Sequence, residues 1–267
     1  MGAMAAIPCE IRTGFPDSKT VHRALFGVFY EEDIFDKFCG LMPRSMRLFR
    51  WRLDETVRRR NLIFVHVPRV AGTSIAQMLY GQRCTRHYSI RYYKTVAPDF
   101  WAAADSFAVL RDPFDRFASA YAFVRSGGTE SCRLSDVFVR QTAGLRSVDD
   151  YLSFIEERDA LSLDFVMRSQ SWFVCDLETG APLVKRLFLY GQDDVALADF
   201  LEAHGVTKLP WLNHSVRIPL LLSARQKRRI EKIYGRDFEL VEMLRRRHAQ
   251  EPFNLSRIAG IAAEYPP

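Results

Sequence analysis

Short apolar runs alternate with amphipathic stretches through the middle of the chain, and the alternation predicts strands that feed into helices. Leu62-Ile63-Phe64-Val65-His66-Val67 is a β-branched-rich run of the kind that fills a buried parallel strand. Pro68 stops it; Ala71-Gly72-Thr73-Ser74 follows, and Ile75, Met78 and Leu79 then recur at helical spacing. A second unit of the same form starts at Phe107-Ala108-Val109-Leu110 and passes Arg111-Asp112-Pro113. It enters a helix near Asp115, with Phe117, Ala120, Tyr121 and Val124 as its apolar stripe and Gly127-Gly128 as its stop. Later elements are a helix at 149–157, where Tyr151, Leu152 and Ile155 share a face, and a strand at Leu187–Tyr190. Helices follow from Asp193 to Ala203, closed by Gly205, from Ser223 to Tyr234, closed by Gly235, and from Asp237 to Arg247. The pattern predicts an α/β fold, a central parallel sheet flanked by helices. Ligands of such sheets bind at the carboxyl ends of the strands, and the loops 68–74 and 111–115 both fall there. Residues 1–60 are less regular and read as a helical, basic extension packed on the core. The main domain is expected over 61–250, with a tail at 251–267.

Composition narrows the class. With 48% hydrophobic and 26% charged residues, the 267-residue chain is ordinary globular material. A net charge of +6 and a pI near 9.1 point to anionic partners. The charge gathers at Arg44–Arg60, at Lys227-Arg228-Arg229 and at Arg245-Arg246-Arg247, and the tracts at 44–60 and 225–229 are suited to guiding an anionic glycan. No nucleic-acid-binding motif accompanies the basic balance, so no nucleic-acid partner is expected. The five cysteines form no C-x-x-C pair, which argues against a disulfide framework or a zinc site; no metal is expected. Scattered thiols suit a reducing cytoplasm. No apolar run reaches the ~18 residues of a membrane span, and Met1–Ile7 lacks the charged start of a signal peptide.

The two loops carry the candidate chemistry. In His66-Val67-Pro68-Arg69-Val70-Ala71-Gly72-Thr73-Ser74, small residues let the backbone close on a ligand and the helix start offers N–H donors. Thr73 and Ser74 add hydroxyls, and Arg69 adds a fixed positive charge. The loop suits a phosphate or sulfate. It is not the G-x-x-x-x-G-K-[ST] loop of ATP and GTP enzymes, because Thr73 follows Gly72 where Lys would stand. In Arg111-Asp112-Pro113-Phe114-Asp115-Arg116-Phe117-Ala118-Ser119, the guanidinium of Arg111 and the hydroxyl of Ser119 are spaced to grip one phosphate from two sides. Arg116 and Asp112 read as a loop-shaping ion pair. His66 reads as a bracing residue, His22, His204 and His248 as surface residues, and Trp101, Trp172 and Trp211 as core or stacking residues.

Together these segments carry a resemblance. Ile63 to Ile75 resembles the 5′-phosphosulfate loop, F-x-H-x-P-K-T-A-G-T-S, of the carbohydrate sulfotransferases. Phe107 to Tyr121 resembles that family's 3′-phosphate motif, V-R-[DN]-P-[YF]-D-R-x-x-S-x-Y, at nearly every position. Arg86-His87-Tyr88-Ser89 is similar to the short segment that supplies a histidine. Ser169-Gln170 and Leu209–Ser215 resemble weaker downstream landmarks. The likeness covers roughly residues 61–240 and is nearest to the group of Golgi carbohydrate and heparan 2-O-sulfotransferases, with a bacterial, cytoplasmic member the expected source.

The resemblance implies a fold related to the P-loop nucleotide kinases and a donor, 3′-phosphoadenosine-5′-phosphosulfate (PAPS), that leaves adenosine 3′,5′-bisphosphate (PAP). It implies that Arg69, Ala71, Gly72, Thr73 and Ser74 hold the 5′-phosphosulfate and that Arg111 and Ser119 hold the 3′-phosphate. His87 becomes the base that takes the proton of a hydroxyl on a carbohydrate acceptor, and Arg69 the charge that stabilises the leaving phosphate. Where the family has Lys-Thr, this chain has Arg69-Val70. A phosphate leaving group needs charge stabilisation more than a proton, so Arg serves chemically, although its planar fork differs from the point charge of Lys. The alternatives are a relative that binds PAPS or PAP without catalysis, and, less favoured, an ATP-dependent kinase.

Overall fold

The computed structural model describes residues 25–30, 33–38, 53–81, 87–129, 132–206 and 220–250. The basic run 44–52, Arg86, Leu209–Ser215 with Trp211 and His214, His22 and the tail 251–267 lie outside them.

In chain order the elements are α1 (Asp33–Phe38), α2 (Glu55–Arg60), β1 (Leu62–Phe64), α3 (Gly72–Tyr80), α4 (Ile90–Val96), α5 (Pro98–Ala103), β2 (Asp105–Leu110) and α6 (Pro113–Arg125). A short hairpin of β3 (Gly128–Thr129) and β4 (Cys132–Arg133) follows. Next come α7 (Asp136–Thr142), α8 (Val148–Glu156), α9 (Gln170–Val174), β5 (Arg186–Leu189), α10 (Asp194–Ala203), α11 (Ala224–Ile233) and α12 (Gly235–Gln250).

The main sheet has the order β1-β2-β5, parallel throughout, with Phe64 beside Phe107 and Leu110 beside Leu189. Leu62, Ile63, Phe107, Ala108 and Leu110 are wholly buried, as a parallel sheet covered by helices on both faces requires. A second apolar cluster joins α6, α8 and α11 through Phe117, Leu152, Met167 and Ile230. The α/β expectation holds.

Local chemistry explains most boundaries. Asp112 accepts from the N–H groups of Phe114 and Asp115, and Pro113 occupies the first turn of α6. Ser147 with Asp150 and Ser223 with Gln226 form capping boxes at α8 and α11. Two of the boundaries that differ from the reading of the sequence have a visible cause. The first strand pairs regularly only to Phe64; Val65 N still bonds Phe107 O at 2.9 Å, but Val67 N turns back to Val65 O at 3.1 Å ahead of Pro68, which has no N–H to continue a ladder. Gly235 opens α12 rather than closing α11. The junction is fixed instead by Tyr234, whose buried hydroxyl donates to Met167 O at 2.7 Å.

The segment before the sheet is clasped to the core. Arg168, wholly buried, holds Asp33 with two bonds of 2.7 and 2.6 Å. Tyr30 stacks on Phe165 at 3.9 Å and bonds Asp164, and Phe29 N donates to Leu161 O at 2.7 Å.

Candidate active site

The loop 68–74 leaves the carboxyl end of β1 through two left-handed residues, Arg69 (φ 69°) and Ala71 (φ 62°), neither of them glycine. Such conformations cost about 1–2 kcal/mol each for ordinary residues and persist only where surroundings impose them. They turn the chain sharply into α3, whose first N–H groups receive no side-chain cap from Ala71. Uncapped donors at a helix start favour an anion. Gly72 is required by packing: a Cβ there would lie 2.0 Å from His66 Cδ2 and 2.3 Å from Nε2. His66 thus braces the loop, as expected, with its ring buried and stacked on Phe64. Thr73 is half-buried and Ser74 buried beside it.

The second loop meets the first. Arg69 Nε donates to Ser119 Oγ on α6 at 3.1 Å, and its guanidinium lies 4.5 Å from the centre of the Phe123 ring. Arg116, also on α6 and 2% exposed, donates from Nε to Pro68 O at 3.1 Å and reaches Val166 O at 3.5 Å. Arg111 stands at the end of β2 with its side chain largely covered, 3.8 Å from Asp115 and 5.5 Å from the centre of the Tyr190 ring. The expected Arg116–Asp112 ion pair is replaced. Asp112 faces the N–H groups of α6 and pairs outward with Arg245 at 2.9 Å, so the buried guanidinium takes main-chain carbonyls instead.

His87 stands against this junction. Its Nδ1 lies 2.8 Å from His66 O. A carbonyl only accepts, so Nδ1 carries the hydrogen and Nε2 keeps the lone pair. The ring packs 4.3 Å from His66 and 5.5 Å from Phe165, centre to centre. Burial lowers its pKa to about 4; the His66 carbonyl works the other way, and the charges of Arg116 and Arg168 lower it further. The imidazole is therefore neutral at pH 7. His66 is held well below its ordinary range, first by burial and then by His87.

A model of the sulfotransferase family matches residues 56–242, well over half of the chain. The chain belongs to the sulfotransferase family. No curated protein and no solved structure matches it. The matched span contains both loops and His87, so the sulfotransferase reaction, movement of a sulfuryl group to an acceptor, has its candidate machinery at the end of β1 and β2.

Other residues of this sulfotransferase take up structural work. Trp172 is buried, with the guanidinium of Arg168 at 4.3 Å and that of Arg91 at 4.8 Å from its ring centre, which makes it core. His204 and His248 are half-buried rather than fully at the surface. His204 bonds Phe200 O at 2.8 Å and approaches Asp105 at 3.2 Å, and His248 lies 2.7 Å from Asp193. The sequence does not mark Arg168, Asp33 and Asp237, because their partners are main-chain carbonyls, main-chain N–H groups or side chains far along the chain. Among the described residues, no group of three or more His, Cys, Asp or Glu is placed to hold a metal ion, and no helix is long and apolar enough to cross a membrane.

Proposed function

We propose that this sulfotransferase moves the sulfuryl group of PAPS to a hydroxyl of a carbohydrate acceptor. The observation that carries the reading is the Arg69–Ser119 bond of 3.1 Å. It joins a loop suited to a 5′-phosphosulfate to a helix suited to a 3′-phosphate, the two features that set PAPS apart from ATP. In this reading Arg69, Ala71, Gly72, Thr73 and Ser74 hold the phosphosulfate, and Arg111 and Ser119 hold the 3′-phosphate. Ser119 can accept from Arg69 while its own hydrogen is donated to the phosphate.

The step is an in-line displacement at sulfur. The acceptor oxygen forms a bond to sulfur, the bond from sulfur to the bridging oxygen breaks, and PAP departs with the electron pair. The hydroxyl proton passes to Nε2 of His87, the nitrogen left with a lone pair by the bond to His66 O. A neutral imidazole is ready to accept, and the anionic donor beside it favours the imidazolium as the proton arrives. Arg69 and the N–H groups at the start of α3 stabilise the charge that grows on the departing phosphate.

Calorimetry on the full chain tests the donor: PAP is expected to bind more tightly than ATP. Absence of PAP binding by the folded protein, or tighter ATP binding, overturns the reading. Turnover with PAPS and a panel of glycans then separates an enzyme from a non-catalytic binder, and a folded His87→Ala protein with wild-type rates removes His87 as the base.

A further inference from the structure

β2 ends at Leu110, yet Arg111 still presents a main-chain N–H and C=O that a continuing strand would pair. The side chain of Gln170 takes both. Its Oε1 accepts from Arg111 N at 2.9 Å and its Nε2 donates to Arg111 O at 2.8 Å. Among side chains neutral in water at pH 7, a carboxamide offers a donor and an acceptor side by side in this way. Gln170 is wholly buried. Its own N–H and that of Ser171 donate to the two carboxylate oxygens of Asp237, at 2.7 and 2.8 Å, and Asp237 is itself 1% exposed on α12. Ser169 Oγ accepts from Trp172 N in the same turn. The amide is thus gripped at its root and at its tip, and it grips the residue from which the Arg111 guanidinium projects.

We infer that Gln170 is a positioning residue that aims Arg111 and thereby sets the preference for nucleotides bearing a 3′-phosphate. The inference rests on the reading of Arg111 as a 3′-phosphate ligand. A guanidinium stands far from its own Cα, so a small rotation of the main chain at Arg111 is amplified at its tip. Misplacement by roughly 1 Å at a positioned group costs up to about a hundredfold. The clamp holds Arg111 at its main chain, while Asp115 and the centre of the Tyr190 ring lie 3.8 and 5.5 Å from its guanidinium.

The test compares two probes, PAP and AMP, on the full-length protein and on Gln170→Met, which fills the same space without a polar atom and so removes both bonds to Arg111. Wild type is expected to prefer PAP. In the variant the Kd for PAP should rise about tenfold or more, the size of one lost bond to a charged-group holder, while the Kd for AMP stays within about twofold. Gln170→Leu, also apolar and somewhat smaller, provides the comparison where the Met variant does not fold. Equal weakening of both probes, or an unchanged PAP preference in either folded variant, overturns the inference. A wild type that binds PAP and AMP alike overturns the reading of Arg111 instead, and the inference with it.

Discussion

Gly72→Ala isolates the packing of the 68–74 loop in one methyl group. The added Cβ falls 2.0 Å from His66 Cδ2, far inside contact distance, and the ring it meets is buried and stacked on Phe64. Overpacking of that kind costs about 1–3 kcal/mol. Gly72 is also the first residue of α3, where exchange of Gly for Ala favours the helix by at most ~1 kcal/mol. The steric term wins, so Gly72→Ala is expected to destabilise the wild-type protein by up to about 2 kcal/mol, the upper overpacking figure less the helix preference. With His66→Ala as the background, the obstacle is gone and only the helix preference remains. There the same substitution should be neutral or stabilising. Urea denaturation of the four proteins, followed by far-UV circular dichroism, measures both changes, and a double-mutant cycle extracts the coupling. The same loss in both backgrounds, or a gain in the wild type, refutes the reasoning.

The remaining predictions concern charge. His87 should titrate near 4 in a proton NMR experiment, because burial disfavours its cation. The unfolded chain then takes up the proton first as pH falls, so the stability contribution is whole above about 6.5 and is lost by about 4. At most ~3 kcal/mol is at stake, and an imidazole titrating at 6.5 contradicts the buried geometry. Asp33→Ala leaves the wholly buried Arg168 without its carboxylate, and a loss of about 3–5 kcal/mol is expected in denaturant unfolding. A loss below ~1 kcal/mol would mean that the clasp on residues 25–38 does not bear on the fold.

What the sequence disclosed was local. The β-branched run at 62–67, the Pro and Gly stops and the Asp, Ser and Pro caps encode strands and helix starts within a few residues, and they located the sheet and both loops. The meeting of the loops was only half legible. Arg69 and Ser119 stood out as chemistry, but nothing in their spacing told of the bond between them. The sequence suggests an Arg116–Asp112 ion pair, yet the first turn of the helix offers Asp112 two N–H groups that compete for its carboxylate. Gln170 and Asp237 bond to main-chain atoms, which every residue has and no pattern marks. Asp33 and Arg168 are too far apart in the chain for periodicity to link them.

The hold of Arg116 on Pro68 is exerted through a carbonyl, and the close fit at Gly72 depends on a missing side chain. Neither consults the identity of residues 69 and 70. Val70, 1% exposed, belongs to the core beneath the loop, so it is position 69 that can change side chain while the backbone keeps its course. A Lys at 69 can stand where Arg stands without redrawing the turn, so an exchange there should alter how charge is presented rather than the course of the main chain.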